Sequence, residues 1–172
     1  MFHIFDIDNT LFFTNELNNK AYIFALSSLG LKALVPCKRI TRTVVSLWYP
    51  FLTDEDLTAI VRLKQTYVNE NLHLVSINND LYRLLQEIER NKVGLWTAAA
   101  PSRIQKILDY TDITNYTYIR FSDKSQEDIC HGIQEFCHIF KCEKDQLCFY
   151  EDDKKVIEYL QSQGVRVIEV IV

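Results

Sequence analysis

The chain has 172 residues, 48% of them hydrophobic, with ten Phe and nine Tyr, enough for one domain or a core with a modest insertion. Its formal net charge of −4 gives no general attraction to nucleic acid or anionic membrane, and no segment has the ~20 uninterrupted apolar residues of a membrane-spanning helix. Only four glycines occur, Gly30, Gly94, Gly132 and Gly164, which excludes the glycine-rich phosphate cradles of P-loop and dinucleotide-binding proteins. Five cysteines without regular spacing fit reduced thiols better than a disulfide framework. An apolar strand starting at residue 2 leaves no room for a signal peptide, so a cytoplasmic protein is expected.

The first element is the run Phe2-His3-Ile4-Phe5-Asp6, a buried strand ending in acid. Asp8 follows two residues later, and Asn9-Thr10 predict a turn, with Thr10 holding it by side-chain hydrogen bonds. Asp6 is then fixed at the strand end and Asp8 sits just outside it. Two carboxylates placed so close are costly unless a cation offsets them, and a hard ion such as Mg²⁺ prefers oxygen ligands.

A helical stretch comes next. Leu17, Ala21, Phe24, Ala25 and Leu29 mark one amphipathic helix closed by Gly30. Thr53-Asp54-Glu55-Asp56 reads as an N-terminal cap, followed by Leu57, Ile60, Val61, Lys64 and Val68 on one face. Beyond it, helices are predicted near 78–91, 101–110, 126–140 and 153–163. Strands are predicted near 93–97, 117–121, 147–150 and 165–171. Pro101 suits a first helical turn, and Gly164 suits a helix C-terminus with positive φ. This alternation predicts an α/β fold, a Rossmann-like three-layer sandwich with a mainly parallel five-stranded sheet. Ligands in such sheets bind outside the carboxyl ends of the strands, where Asp6, Thr97 and the acids Glu151, Asp152 and Asp153 all fall.

Asp6-Ile7-Asp8-Asn9-Thr10 after a hydrophobic strand resembles the first motif of the haloacid dehalogenase superfamily. The other three stations follow in order: Thr97 closing Val93-Gly94-Leu95-Trp96, then Lys124 at the head of a helix, then Glu151-Asp152 after Leu147-Cys148-Phe149-Tyr150. The resemblance implies that residues 1–14 and 76–172 form the core, and that 15–75 are a small helical cap of two to four helices inserted over the active site. It implies Mg²⁺-dependent hydrolysis of a small phosphomonoester, such as a nucleotide or sugar phosphate, through an aspartyl-phosphate intermediate. Asp6 is then the nucleophile and Asp8 the general acid and base. Thr97 and Lys124 bind the phosphoryl oxygens. Asp6, Asp8, Asp152 and Glu151 supply the metal site. P-type ATPases carry Thr where Asp8 stands and dehalogenases lack this acid, so Asp8 favours phosphoester hydrolysis.

The pattern departs from the family in two places. Lys124 precedes Ser125 rather than proline, leaving Lys141 and Lys144 as possible substitutes, and the first acid of the second pair is Glu151. Asp153 is expected to cap the helix that follows. A phosphomutase with the same intermediate is an alternative reading. So is a non-catalytic phosphate-binding or phospho-signalling domain, although receiver domains place their second acid ahead of the lysine. Cys130-His131 and Cys137-His138 are too far apart along a helix, about 10 Å, to share a zinc ion with ~2 Å bonds, and a helix burying Cys130, Ile133 and Cys137 explains them. Lys38-Arg39-Ile40-Thr41-Arg42 before Trp48 and Tyr49 reads as a basic face beside core aromatics, or as a contact for an anionic substrate.

Overall fold

In the computed structural model, which describes residues 1–34 and 38–171, the chain divides into two compact units, Met1–Phe13 with Ile77–Val172, and Thr14–Ser76. The first is built on a five-stranded parallel sheet. Its strands are β1 (Phe2–Asp6), β4 (Val93–Thr97), β5 (Tyr118–Phe121), β6 (Leu147–Glu151) and β7 (Arg166–Glu169), in the order β5-β4-β1-β6-β7. Helices α4 (Asn79–Glu87), α5 (Pro101–Thr111), α6 (Gln126–Phe140) and α7 (Lys154–Ser162) connect them. Two-residue strands β2 (Phe12–Phe13) and β3 (Ser76–Ile77) pair where the chain leaves this unit and returns to it. Among the described residues, no helix is long and apolar enough to cross a membrane.

The sheet obeys its period of 2. Ile4, Trp96, Leu147 and Phe149 face α6 and α7, meeting Ile129, Ile133, Phe136, Phe140, Val156 and Leu160 in one core cluster. His3, Phe5 and Tyr150 stack on the other side, Phe5 on Tyr150 at 4.4 Å between ring centres. The buried stripe of α6 is Ile129, Gly132, Ile133, Phe136 and Phe140. Cys130 and Cys137, expected inside, are only half-buried on its flanks, because Ile129, Ile133, Phe136 and Phe140 claim the centre. Cys37 lies outside the described residues, and the other four cysteines are free thiols.

Gly132 is a requirement of packing. A Cβ there would lie 2.4 Å from Cη2 of the Trp96 indole, a fully buried ring with no room to retreat. Gly132→Ala is therefore expected to destabilise the protein by about 1–3 kcal/mol through overpacking, although Gly→Ala in an open helix interior gains nearly 1 kcal/mol. Thermal or urea unfolding checks the sign, and a more stable Gly132→Ala protein would contradict this packing.

The second unit contains α1 (Asn15–Ser28), α2 (Arg42–Trp48) and α3 (Asp54–Glu70). α1 stops with Gly30 at φ 73°. Thr53 and Asp56 form a reciprocal capping box at the head of α3, with Thr53 N donating to Asp56 Oδ2 at 2.9 Å and Asp56 N to Thr53 Oγ1 at 3.2 Å. Tyr22, Ala25, Leu26, Ile40, Val45, Leu57 and Ile60 make its core, with Trp48 and Tyr49 packed against it. Phe24, Leu29 and Val61, expected on buried faces, are about 40% exposed, since the buried arcs of these helices are narrower than the apolar arcs of the sequence. The basic segment is tied down through its backbone. Asn18 Nδ2 donates to Ile40 O at 2.8 Å, Asn19 Nδ2 donates to Lys38 O at 3.0 Å, and Thr41 caps α2.

Candidate active site

β1 ends at Asp6, and the chain turns immediately. Asn9 adopts a left-handed φ of 63°, which Asn tolerates better than most residues. The turn closes through its backbone, Asn9 N donating to Phe12 O at 2.6 Å and Phe12 N to Ile7 O at 3.0 Å. Thr10 does not hold it as expected, because its buried hydroxyl has no hydrogen-bond partner among the described residues. Asn78 does that work from the far end of the sequence gap, its Nδ2 donating to Thr10 O at 3.1 Å and its backbone N to Leu11 O at 2.9 Å.

Asp6 and Glu151 are each one residue past the Phe5–Tyr150 register pair, so parallel pairing with period 2 aims both carboxylates to one face. Lys124 lies between them, with Nζ 2.5 Å from Asp6 Oδ1 and 2.6 Å from Glu151 Oε2. All three side chains are under 10% exposed. Glu151 Oε1 accepts from the backbone N of Asp152 at 3.2 Å and of Asp153 at 3.1 Å, which fixes its rotamer. Burial pushes the Asp6 carboxyl up to about 7 against the pull of Lys124, with the charges of Glu151 and Asp8 adding to the rise. Burial alone would lower the Lys124 ammonium, but Asp6 and Glu151 outweigh it and hold it at about 12.

Lys124 is not in the helix it was expected to begin. Ser125 is the N-cap of α6, its hydroxyl accepting from Asp128 N at 3.4 Å, and Lys124 precedes it with φ 55°. That left-handed backbone turns the lysine back toward the strand ends. Asp128 Oδ2 accepts from Lys124 N at 3.2 Å, and Asp128 is itself paired with Arg120. The alternative lysines lie elsewhere: Lys141 is the exposed C-cap of α6, and Lys144 Nζ donates to Gln163 O at 3.0 Å.

Thr97 ends β4 one residue beyond Trp96, the register partner of Asp6. Its buried hydroxyl accepts from Ala99 N at 3.1 Å, a local turn bond. Asp152 joins Asp6 and Glu151 in a group in which one carboxylate oxygen from each residue lies within 4.8 Å of the others. Asp153 caps α7 as expected, accepting from Lys155 N at 2.8 Å. Asp8, expected among the metal ligands, lies outside that group, and the guanidinium of Arg103 pairs with its carboxylate.

Sequence reading missed Arg103. The available signal was a cation three residues into a helix opened by Pro101, where the helix dipole disfavours positive charge.

The three-carboxylate group suits a hard divalent cation, since it offers oxygen ligands only. Charge bookkeeping agrees. With all four ionised, the carboxylates of Asp6, Asp8, Glu151 and Asp152 outnumber the two cations Lys124 and Arg103 by two negative charges. No family model matches the sequence, and no curated protein matches it.

Solved structures do match. A predicted phosphoglycolate phosphatase from Haemophilus somnus is 16% identical, with a TM-score of 0.78 over 98% of this chain and 84% of that one. CbbY from Rhodobacter sphaeroides, in complex with phosphate, is 14% identical, with a TM-score of 0.77 over 99% of this chain and 88% of that one. A haloacid dehalogenase-like hydrolase from Streptococcus pneumoniae is 15% identical, with a TM-score of 0.70 over 99% of this chain and 85% of that one. A parallel sheet in this order, with acids on the ends of its central strands and nearly end-to-end superposition on these hydrolases, gives the chain the haloacid dehalogenase fold.

Proposed function

We propose that the protein is a Mg²⁺-dependent phosphatase that hydrolyses a small phosphomonoester, of the nucleotide or sugar phosphate type, through an aspartyl-phosphate intermediate. The observation that carries this reading is the buried Asp6–Lys124–Glu151 cluster at the strand ends, with Asp152 completing a set of oxygen ligands. The structural neighbours support the substrate class: CbbY is in complex with phosphate, and a variant of it is in complex with xylulose-(1,5)bisphosphate.

Asp6 attacks phosphorus with one carboxylate oxygen, and the bond to the leaving oxygen breaks. Asp8 gives its proton to that oxygen. A water then attacks the phosphorus of the acyl phosphate and loses its proton to Asp8, which releases phosphate and regenerates Asp6. Lys124 offers the phosphoryl group a fixed positive charge, and Thr97 a hydroxyl. Asp6, Glu151 and Asp152 would hold the metal, which supplies charge neutralisation for an anionic nucleophile meeting an anionic phosphate. We assign residues 15–75 as the cap that limits substrate size, on the ground that they interrupt the alternation of strands and helices without adding a strand to the five-stranded sheet.

Hydrolysis of an aryl phosphate is expected to require Mg²⁺ and to stop in excess chelator. Turnover that persists undiminished in chelator would exclude the metal-dependent reading. Release of free phosphate, rather than return of the group to substrate, separates the phosphatase from a mutase.

A further inference from the structure

Arg103 stands where a stability argument would not put it. It is the third residue of α5, whose first turn contains no acid. Positive charge there opposes the helix dipole, and burial adds a desolvation cost. Yet the residue is 8% exposed, and its Nη2 donates to Oδ2 of Asp8, 95 residues earlier in the chain. A buried ion pair is on average no more stabilising than apolar side chains of similar volume. Lys124 is already committed to Asp6 and Glu151, so the two cations divide the acids between them. Asp8 stands two residues past the end of β1, in the segment that turns at Asn9. A rigid partner on another element fixes the rotamer of a carboxylate on a turn.

We propose that Arg103 is a positioning residue for Asp8. Its rigid, planar guanidinium holds the Asp8 carboxyl group so that in its protonated form it meets the leaving oxygen in the first half-reaction and, as the carboxylate, the attacking water in the second. The inference rests on the phosphatase reading and adds to it a residue that acts only through Asp8.

The test uses the full chain with Mg²⁺ and the variants Arg103→Gln and Arg103→Lys, each alone and combined with Asp8→Asn. Folding is followed by circular dichroism. Arg103→Gln is expected to lower kcat for an alkyl phosphate on the order of 10²-fold, the lower end of what a lost proton transfer costs, with KM little changed. It should cost less with 4-nitrophenyl phosphate, whose leaving group needs little protonation, and the part that persists belongs to water attack, which also uses Asp8. Arg103→Lys, which keeps the charge without the planar fork, should fall between parent and Arg103→Gln. If Arg103→Gln fails to fold, the leaving-group-selective loss must appear in Arg103→Lys.

With phenyl phosphate, Arg103→Gln should slow the parent about tenfold or more but add less than about twofold to Asp8→Asn, because residues acting as a unit are not additive. Equal losses on both leaving groups, an undiminished loss in the Asp8→Asn background, or a raised KM at constant kcat would overturn the proposal while leaving the phosphatase intact. A parent protein that hydrolyses no phosphomonoester would overturn the phosphatase reading and this inference together.

Discussion

Asp6→Asn is expected to lower turnover by on the order of 10⁴–10⁶-fold, the scale of losing a nucleophile, while leaving the fold in place. The amide keeps the shape of the carboxylate but cannot form the bond to phosphorus. The fold should survive because the change removes a negative charge from a site that has an excess of them. Burial already raises the Asp6 carboxyl to about 7, so in metal-free protein a neutral side chain there is better tolerated than an ionised one. Asp8→Asn should behave differently. Its loss should be smaller with 4-nitrophenyl phosphate than with alkyl phosphates, since a good leaving group scarcely needs the proton, and part of the loss should persist because water attack also uses Asp8. Steady-state kinetics with circular dichroism separates these cases, and parent-like turnover by Asp6→Asn would remove Asp6 from the nucleophile's role.

Lys124→Met should have the largest effect on stability. It leaves the Asp6 and Glu151 carboxylates buried together without the ammonium that lies 2.5 and 2.6 Å from them. Breaking a buried charge pair from one side costs about 3–5 kcal/mol, and turnover should fall with it.

The pH dependence follows from linkage. Asp6 has a folded value near 7 against an ordinary 3.8, so between these values the folded protein holds a proton that the unfolded chain has released. Stability of the metal-free protein therefore falls as pH rises through that window. Lys124 acts with the opposite partner chemistry. Held at about 12 against an ordinary 10.5, its contribution is complete below 10.5 and is lost as pH rises through 12. In Lys124→Met the ammonium no longer counters the mutual repulsion of Asp6 and Glu151, so the deficit should be greatest near about pH 8 and shrink near about pH 5, where protonation relieves it. Thermal unfolding in chelator at the two pH values checks this. A deficit that grows on acidification would contradict the charge account.

The strands and most helices were legible because their signals are local. Phe2–Asp6 and Val93–Thr97 are continuous apolar runs bounded by polar residues, and Gln126–Phe140 repeats Ile129, Ile133, Phe136 and Phe140 at helical spacing. Parallel pairing then follows from the intervening helices. The Thr53–Asp56 capping box, the Asp153 cap and the left-handed Gly30 and Gly164 are likewise properties of a few adjacent residues.

Partnership across long sequence separations was decided only by the fold. Lys124 meets Asp6 across 118 residues, through a left-handed backbone that no helical pattern announces. Arg103 meets Asp8 across 95 residues from a helix position that dipole considerations alone would assign to an acid. Thr10 was assigned the turn that Asn78 holds from 68 residues away. Periodicity states which way a side chain points along its own element. Which charge waits on the other side depends on how separate elements pack, and Coulomb energy becomes large only once that packing has excluded water.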